Sequence, residues 1–227
     1  MPVLNAVQDD EKLKRTVETF REITKDLEER VIKRFRRSVA ADLILYLGLG
    51  NGAGWVTKLN GKEVVLFGIE KIIELGWYER NAMIGLVYHE LGHVYQNEYG
   101  VLHREFSEQA DRFMWQLFTE GVAMVFEQEI IGDPDYFHQY DEEWRKWCKE
   151  NLKLIRDSFK NDISVLSDED QCYFGDWVSF RGHGDTGYYL GARFVRFLLK
   201  KEDFDRIILY DIDDVKKGFE RFMEQQI

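Results

Sequence analysis

The chain has 227 residues, 44% hydrophobic and 15% aromatic, enough for one sizeable packed domain and too apolar for a disordered polypeptide. Its formal net charge of −11 argues against nucleic-acid binding as the main activity, because phosphate binding needs a basic surface. No apolar run reaches the about 18 residues that a membrane helix needs, and Met1 to Asp10 carries no basic segment followed by an apolar one, so no membrane span and a cytoplasmic location are expected.

Residues about 9–40 place Leu13, Val17, Phe20, Leu27, Val31 and Phe35 at spacings of three, four and seven, which predicts one amphipathic helix. Leu43 to Leu47, Trp55 to Leu59 and Val64 to Ile69 read as strands. The glycine-rich segment Gly48 to Gly54 must turn or approach something closely, and Asn60-Gly61 signals a hairpin, so a small antiparallel or mixed sheet is predicted near 43–69. From Arg80 onward the pattern is helical. Helices are expected over about 80–98, 105–131 (stopped by Gly132-Asp133-Pro134), 139–159, 187–200 and 211–225, with an irregular stretch over 161–186. Cys148 and Cys172 form no CxxC pair and read as reduced thiols.

The chemistry concentrates in His89-Glu90-Leu91-Gly92-His93. On a helix, residues i and i+4 share a face, so His89 and His93 can aim both imidazoles at one zinc ion. Glu90, beside the first histidine, is placed to take a proton from a zinc-bound water. Gly85 and Gly92 lie on the same face and leave room for metal and substrate. A third ligand is suggested by Glu120, a carboxylate set within the apolar run Phe113 to Phe126, where an ionised side chain is costly unless paired or bound to a cation. Glu108, Asp111 and Glu127 are rival ligands in more polar surroundings. Tyr99 holds the place of a third histidine six residues beyond His93, so a three-histidine site is not supported.

These residues resemble the gluzincin metallopeptidases, the thermolysin-like clan, in which the His-Glu-x-x-His helix is joined by a glutamate from the next helix. The closer likeness is to a family of predicted zinc-dependent proteases, similar in the glycine-rich segment Gly48 to Gly54, in Glu120-Gly121-Val122-Ala123 and in Gly187-Tyr188-Tyr189-Leu190-Gly191. The resemblance implies His89, His93 and Glu120 as zinc ligands and Glu90 as catalytic base. It also implies an oxyanion donor from the C-terminal part, for which Tyr188 is the first choice and His183 and Tyr189 are alternatives. The edge of the small sheet at Gly52, Ala53, Gly54 and Trp55, within the segment Asn51 to Trp55, would bind extended peptide. Where the clan often places an aspartate to orient a histidine, four residues after the third ligand, this chain has Met124; that support would come from Asp111, Glu127 or a backbone carbonyl.

The expected fold is therefore α+β and zincin-like. It would form a single catalytic domain over 1–227, with a sub-lobe at about 1–100 holding the sheet and metal helix and a helical sub-lobe at about 101–227. The expected activity is zinc-dependent hydrolysis of a peptide or protein substrate. A non-catalytic zinc-binding regulator, a metal-dependent hydrolase of another amide and a helical interaction protein remain the other readings.

Overall fold

The computed structural model describes residues 10–48, 52–138, 141–175 and 177–225. The structure is mixed α and β, about 58% helical, with one three-stranded mixed sheet. The described residues of Met1–Val94 and Phe126–His138 cluster as one compact unit, and those of Tyr95–Val125 and Gln139–Ile227 as a second.

The first unit opens with α1 (Asp10–Thr24) and α2 (Leu27–Phe35). The single helix expected over 9–40 is broken at Lys25-Asp26, yet the apolar stripe survives the break, and Phe20, Leu27, Val31 and Phe35 are all buried. Arg36 in the left-handed conformation (φ 60°) ends α2. The strands are β1 (Asp42–Tyr46), β2 (Gly54–Leu59) and β3 (Lys62–Gly68), in the order β1-β3-β2. β2 and β3 form the predicted hairpin, with Asn60 and Gly61 both at positive φ (52° and 79°), as a tight turn between twisted strands requires. β1 lies on the far side of β3 and runs parallel to it, so the sheet is mixed rather than wholly antiparallel. β3 is the central strand, and Val64, Val65 and Phe67 along it are buried. Phe20 of α1 packs on Phe67, with ring centroids 5.4 Å apart. The strand expected to reach Ile69 stops at Gly68, where the chain enters a short helix that the sequence did not announce, α3 (Ile69–Glu74).

Two long helices follow, α4 (Arg80–Tyr99) and α5 (Gln109–Ile131), each contributing residues to both units. Both are buried nearly all round. In α4, Met83 and Leu86 through Leu91 are covered, and in α5 so are Phe113 to Trp115 and Val122 to Gln128, which is the mark of a central helix rather than an amphipathic surface one. No helix among the described residues is long and apolar enough to cross a membrane.

The second unit continues with α6 (Glu142–Glu150), α7 (Leu152–Asp162), α8 (Thr186–Leu198), α9 (Phe204–Ile207) and α10 (Ile212–Met223). The helix expected over 139–159 is two helices meeting at Asn151, and residues 139 and 140 lie outside the described residues. The irregular stretch at 161–186 carries no helix or strand among its described residues beyond the end of α7, one isolated bridge between Phe180 and His183, and the first residue of α8. Cys148 is buried and Cys172 half-buried, and both are free thiols; burial pushes the Cys148 thiol up to about 12.

Helices α5 and α8 approach closely at one point. Gly121 and Gly191 meet backbone to backbone, with the position a Gly191 side chain would take only 3.0 Å from the Gly121 Cα and 2.5 Å from the Leu117 carbonyl oxygen. A side chain at either glycine would meet backbone of the other helix, so it could be accommodated only by a shift of the helices. Gly121→Ala is therefore expected to destabilise the protein by about 1–3 kcal/mol, read as a lower urea midpoint at unchanged slope.

Candidate metal centre

Helix α4 carries His89 and His93 one turn apart, and their rings meet edge-on with centroids 4.9 Å apart. His89, His93 and Glu120 of α5 each offer one ligand atom, and these atoms all lie within 4.8 Å of one another. His89 is buried, and His93 and Glu120 are half-buried. Two imidazoles and one carboxylate are a donor set that zinc accepts, with a fourth position left for water or substrate in a tetrahedral site. The group therefore fits a metal on chemical grounds, and it unites the three sequence-predicted ligands.

Glu90 follows His89 on α4 and is also buried. It lies against the start of β2, where a side chain at Gly54 would come 2.8 Å from Glu90 Cγ and 2.9 Å from its Oε1. The glycine is thus required by close approach to one particular carboxylate, not by a turn. The neighbouring backbone is fixed by the amide of Gly68, which donates to the Ala53 carbonyl at 3.0 Å. Trp55 packs edge-on against Tyr46, with centroids 5.4 Å apart. At the other end of the glycine-rich segment, the Gly48 amide donates to the buried carboxylate of Glu70 at 2.9 Å; residues 49–51, including Asn51 of the expected peptide-binding edge, lie outside the described residues.

The rival ligands take other places. Glu108 is exposed, and Asp111 pairs with Lys216. Met124, in the place of the clan's aspartate, is a buried core residue. Glu127 is fully buried, and its Oε2 lies 3.8 Å from Nδ1 of His89. Its carboxylate is also hydrogen-bonded to Nδ1 of His138, at 3.0 and 3.1 Å to its two oxygens. Burial pushes the Glu127 carboxyl well above the usual range, against the opposing pull of His89 and a backbone hydrogen bond from His138.

The oxyanion candidates belong to the second unit. Tyr188 stands on α8 one turn before the Gly191 crossing, half-buried, its ring edge-on to Phe174 at 5.7 Å. The crossing partner Gly121 is the residue after Glu120. Tyr189 is buried, edge-on to Trp144 and beneath the Arg193 guanidinium at 4.7 Å, so it belongs to the core. His183 stacks face to face on Trp147, with centroids 3.7 Å apart.

His138 was missed in the sequence because it follows the turn at Gly132 to Pro134 with no periodic pattern around it. The available signal was Gly85, a glycine inside a helix one turn before His89. Its space is filled by His138 and Glu127 rather than by metal or substrate: a side chain at Gly85 would come 2.7 Å from His138 Cγ and 2.8 Å from Glu127 Oε1. No family model, curated protein or solved structure matches the chain.

A ligand that binds only the folded chain raises its stability by mass action. Zinc added to chelator-treated protein, at one hundred times its dissociation constant, is expected to stabilise it by about 2.7 kcal/mol. His93→Ala and Glu120→Ala should each abolish most of that gain in thermal or chemical unfolding.

Proposed function

We propose that this chain is a zinc-dependent metallopeptidase of zincin-like architecture. The observation that supports this best is the convergence of His89, His93 and Glu120 ligand atoms within 4.8 Å, with Glu90 one residue along the same helix. The reading adds catalysis to that geometry on the strength of Glu90 and of the resemblance to the gluzincins.

When bound, zinc supplies a Lewis acid that acidifies water and polarises a carbonyl. Glu90 takes the proton of the attacking water and delivers it to the leaving amine, a role favoured by its position beside a ligand and by its burial away from bulk solvent. β2 is an edge strand, and its first residue, Gly54, touches Glu90. Extended peptide backbone laid along Gly52, Ala53, Gly54 and Trp55 would therefore pass beside the base. Tyr188 is assigned as oxyanion donor; His183, held by its stack on Trp147, is the alternative.

Protein purified without a histidine tag should contain near-stoichiometric zinc by elemental analysis. Glu90→Gln should keep the metal and lose about 10²–10⁴-fold in cleavage of a peptide library. Gly54→Ala, which forces the Glu90 side chain aside, should lower kcat on the order of 10²-fold with zinc content unchanged. Zinc without Glu90-dependent cleavage would assign the chain to the non-catalytic zinc-binding regulators, and Glu90-dependent cleavage of non-peptide amides to the other hydrolases. Absence of zinc would remove the enzyme reading.

A further inference from the structure

Within the first compact unit, three side chains form a buried row that the reaction above does not use in full. Glu127 is 0% exposed and stands two helical turns beyond Glu120 on α5. Nδ1 of His138 lies within hydrogen-bonding distance of both of its oxygens, at 3.0 and 3.1 Å. On its other side the same carboxylate faces Nδ1 of His89 at 3.8 Å. The His89 and His138 rings are 5.8 Å apart, and Trp77 closes the far side of His138 edge-on at 5.2 Å.

The chain spends several features on placing His138 there. Gly85 omits the side chain that would collide with it. The segment that brings it back after α5 is tied down by Gln128, whose side-chain amide donates to the Tyr136 carbonyl at 3.0 Å, and by the Tyr136 hydroxyl, which donates to the Asn81 carbonyl. Phe137 is buried beside it. A histidine needed merely to fill space would not require a buried carboxylate aligned with its ring nitrogen.

We propose that His138 is a positioning residue for the metal site: it fixes Glu127 so that the carboxylate addresses Nδ1 of His89, which sets that ring's tautomer and leaves Nε2 for the ion. The inference rests on the metal-site reading above. A metal-bound histidine commonly gives its other ring nitrogen to a carboxylate, and loss of such a partner costs 10–100-fold in metal affinity. Here the carboxylate comes from a position seven residues past the glutamate ligand, and it is itself held by a second histidine.

The test is zinc affinity of the full chain, measured by competition with a chelator of known strength, for wild type, His138→Phe, His138→Gln, Glu127→Gln and the double variant His138→Phe/Glu127→Gln. His138→Phe keeps a flat ring against Trp77 but removes the donor, and should weaken zinc binding about 10–100-fold. His138→Gln, whose amide can still donate to Glu127, should recover a large part of that loss. The double variant should bind no more weakly than Glu127→Gln alone, because His138 acts through Glu127. A purely structural His138 would lower the unfolding temperature of the chelator-treated protein and leave zinc affinity at the wild-type value, which overturns the proposal. So would additive losses in the double variant. If wild type itself binds no zinc, the metal reading falls and takes this inference with it; a wild type that binds zinc beside an unaffected His138→Phe removes the inference alone.

Discussion

A carboxylate taken out of water must find a partner, and α5 carries two where the surroundings are almost wholly apolar. Glu120 sits half-buried among covered neighbours, and Glu127 is fully enclosed. Much of the site answers that constraint. His89 and His93 face Glu120, while His89 and His138 face Glu127. The raised titration of Glu127 expresses the same desolvation, only partly offset by the neighbours that address it.

Glycine does the complementary work. At three places a missing side chain brings particular atoms together: Gly54 against Glu90, Gly85 against His138 and Glu127, and Gly121 against Gly191. All three have ordinary backbone angles, so what matters is the absence of bulk rather than the conformational freedom of glycine. Two of them sit in helix interiors, where glycine costs on the order of 1 kcal/mol relative to alanine. That cost is local, while the gain is placement of side chains and of a whole helix.

The sequence made some of this plain and hid the rest for identifiable reasons. His89, Glu90 and His93 were legible because a helix turns four residues into one face, and Glu120 because a charge in an apolar run calls for an explanation. The hairpin was announced by Asn60-Gly61. The break at Lys25-Asp26 was hidden because the hydrophobic stripe continues across it, and α3 because Ile69 reads as well at a strand's end as at a helix start. Glu127 was visible as a rival ligand and as one of three candidates to support a ligating histidine. Its neighbour Phe126 gives no hint that the next side chain turns toward His89. His138 lies in irregular chain, where no period marks which face a residue takes; only the backbone path shows that it returns to α4.

The row from Gly85 to His138 also has an evolutionary reading. Its members are linked by contact and separated by fixed helical spacing: Gly85, His89, Glu90 and His93 on one helix, Glu120 and Glu127 on the next, and His138 a short return later. A change at one of them alters what the others can tolerate, since a side chain at 85 would collide with residue 138 at its Cβ and with Glu127, and loss of the histidine at 138 strands a buried glutamate. Such residues are expected to change as a set. A distant relative whose surface and loops have diverged beyond alignment would still carry the fingerprint Gly-x3-His-Glu-x2-His, then Glu-x6-Glu-x10-His. The same lineage without His138 would be expected to have lost Glu127.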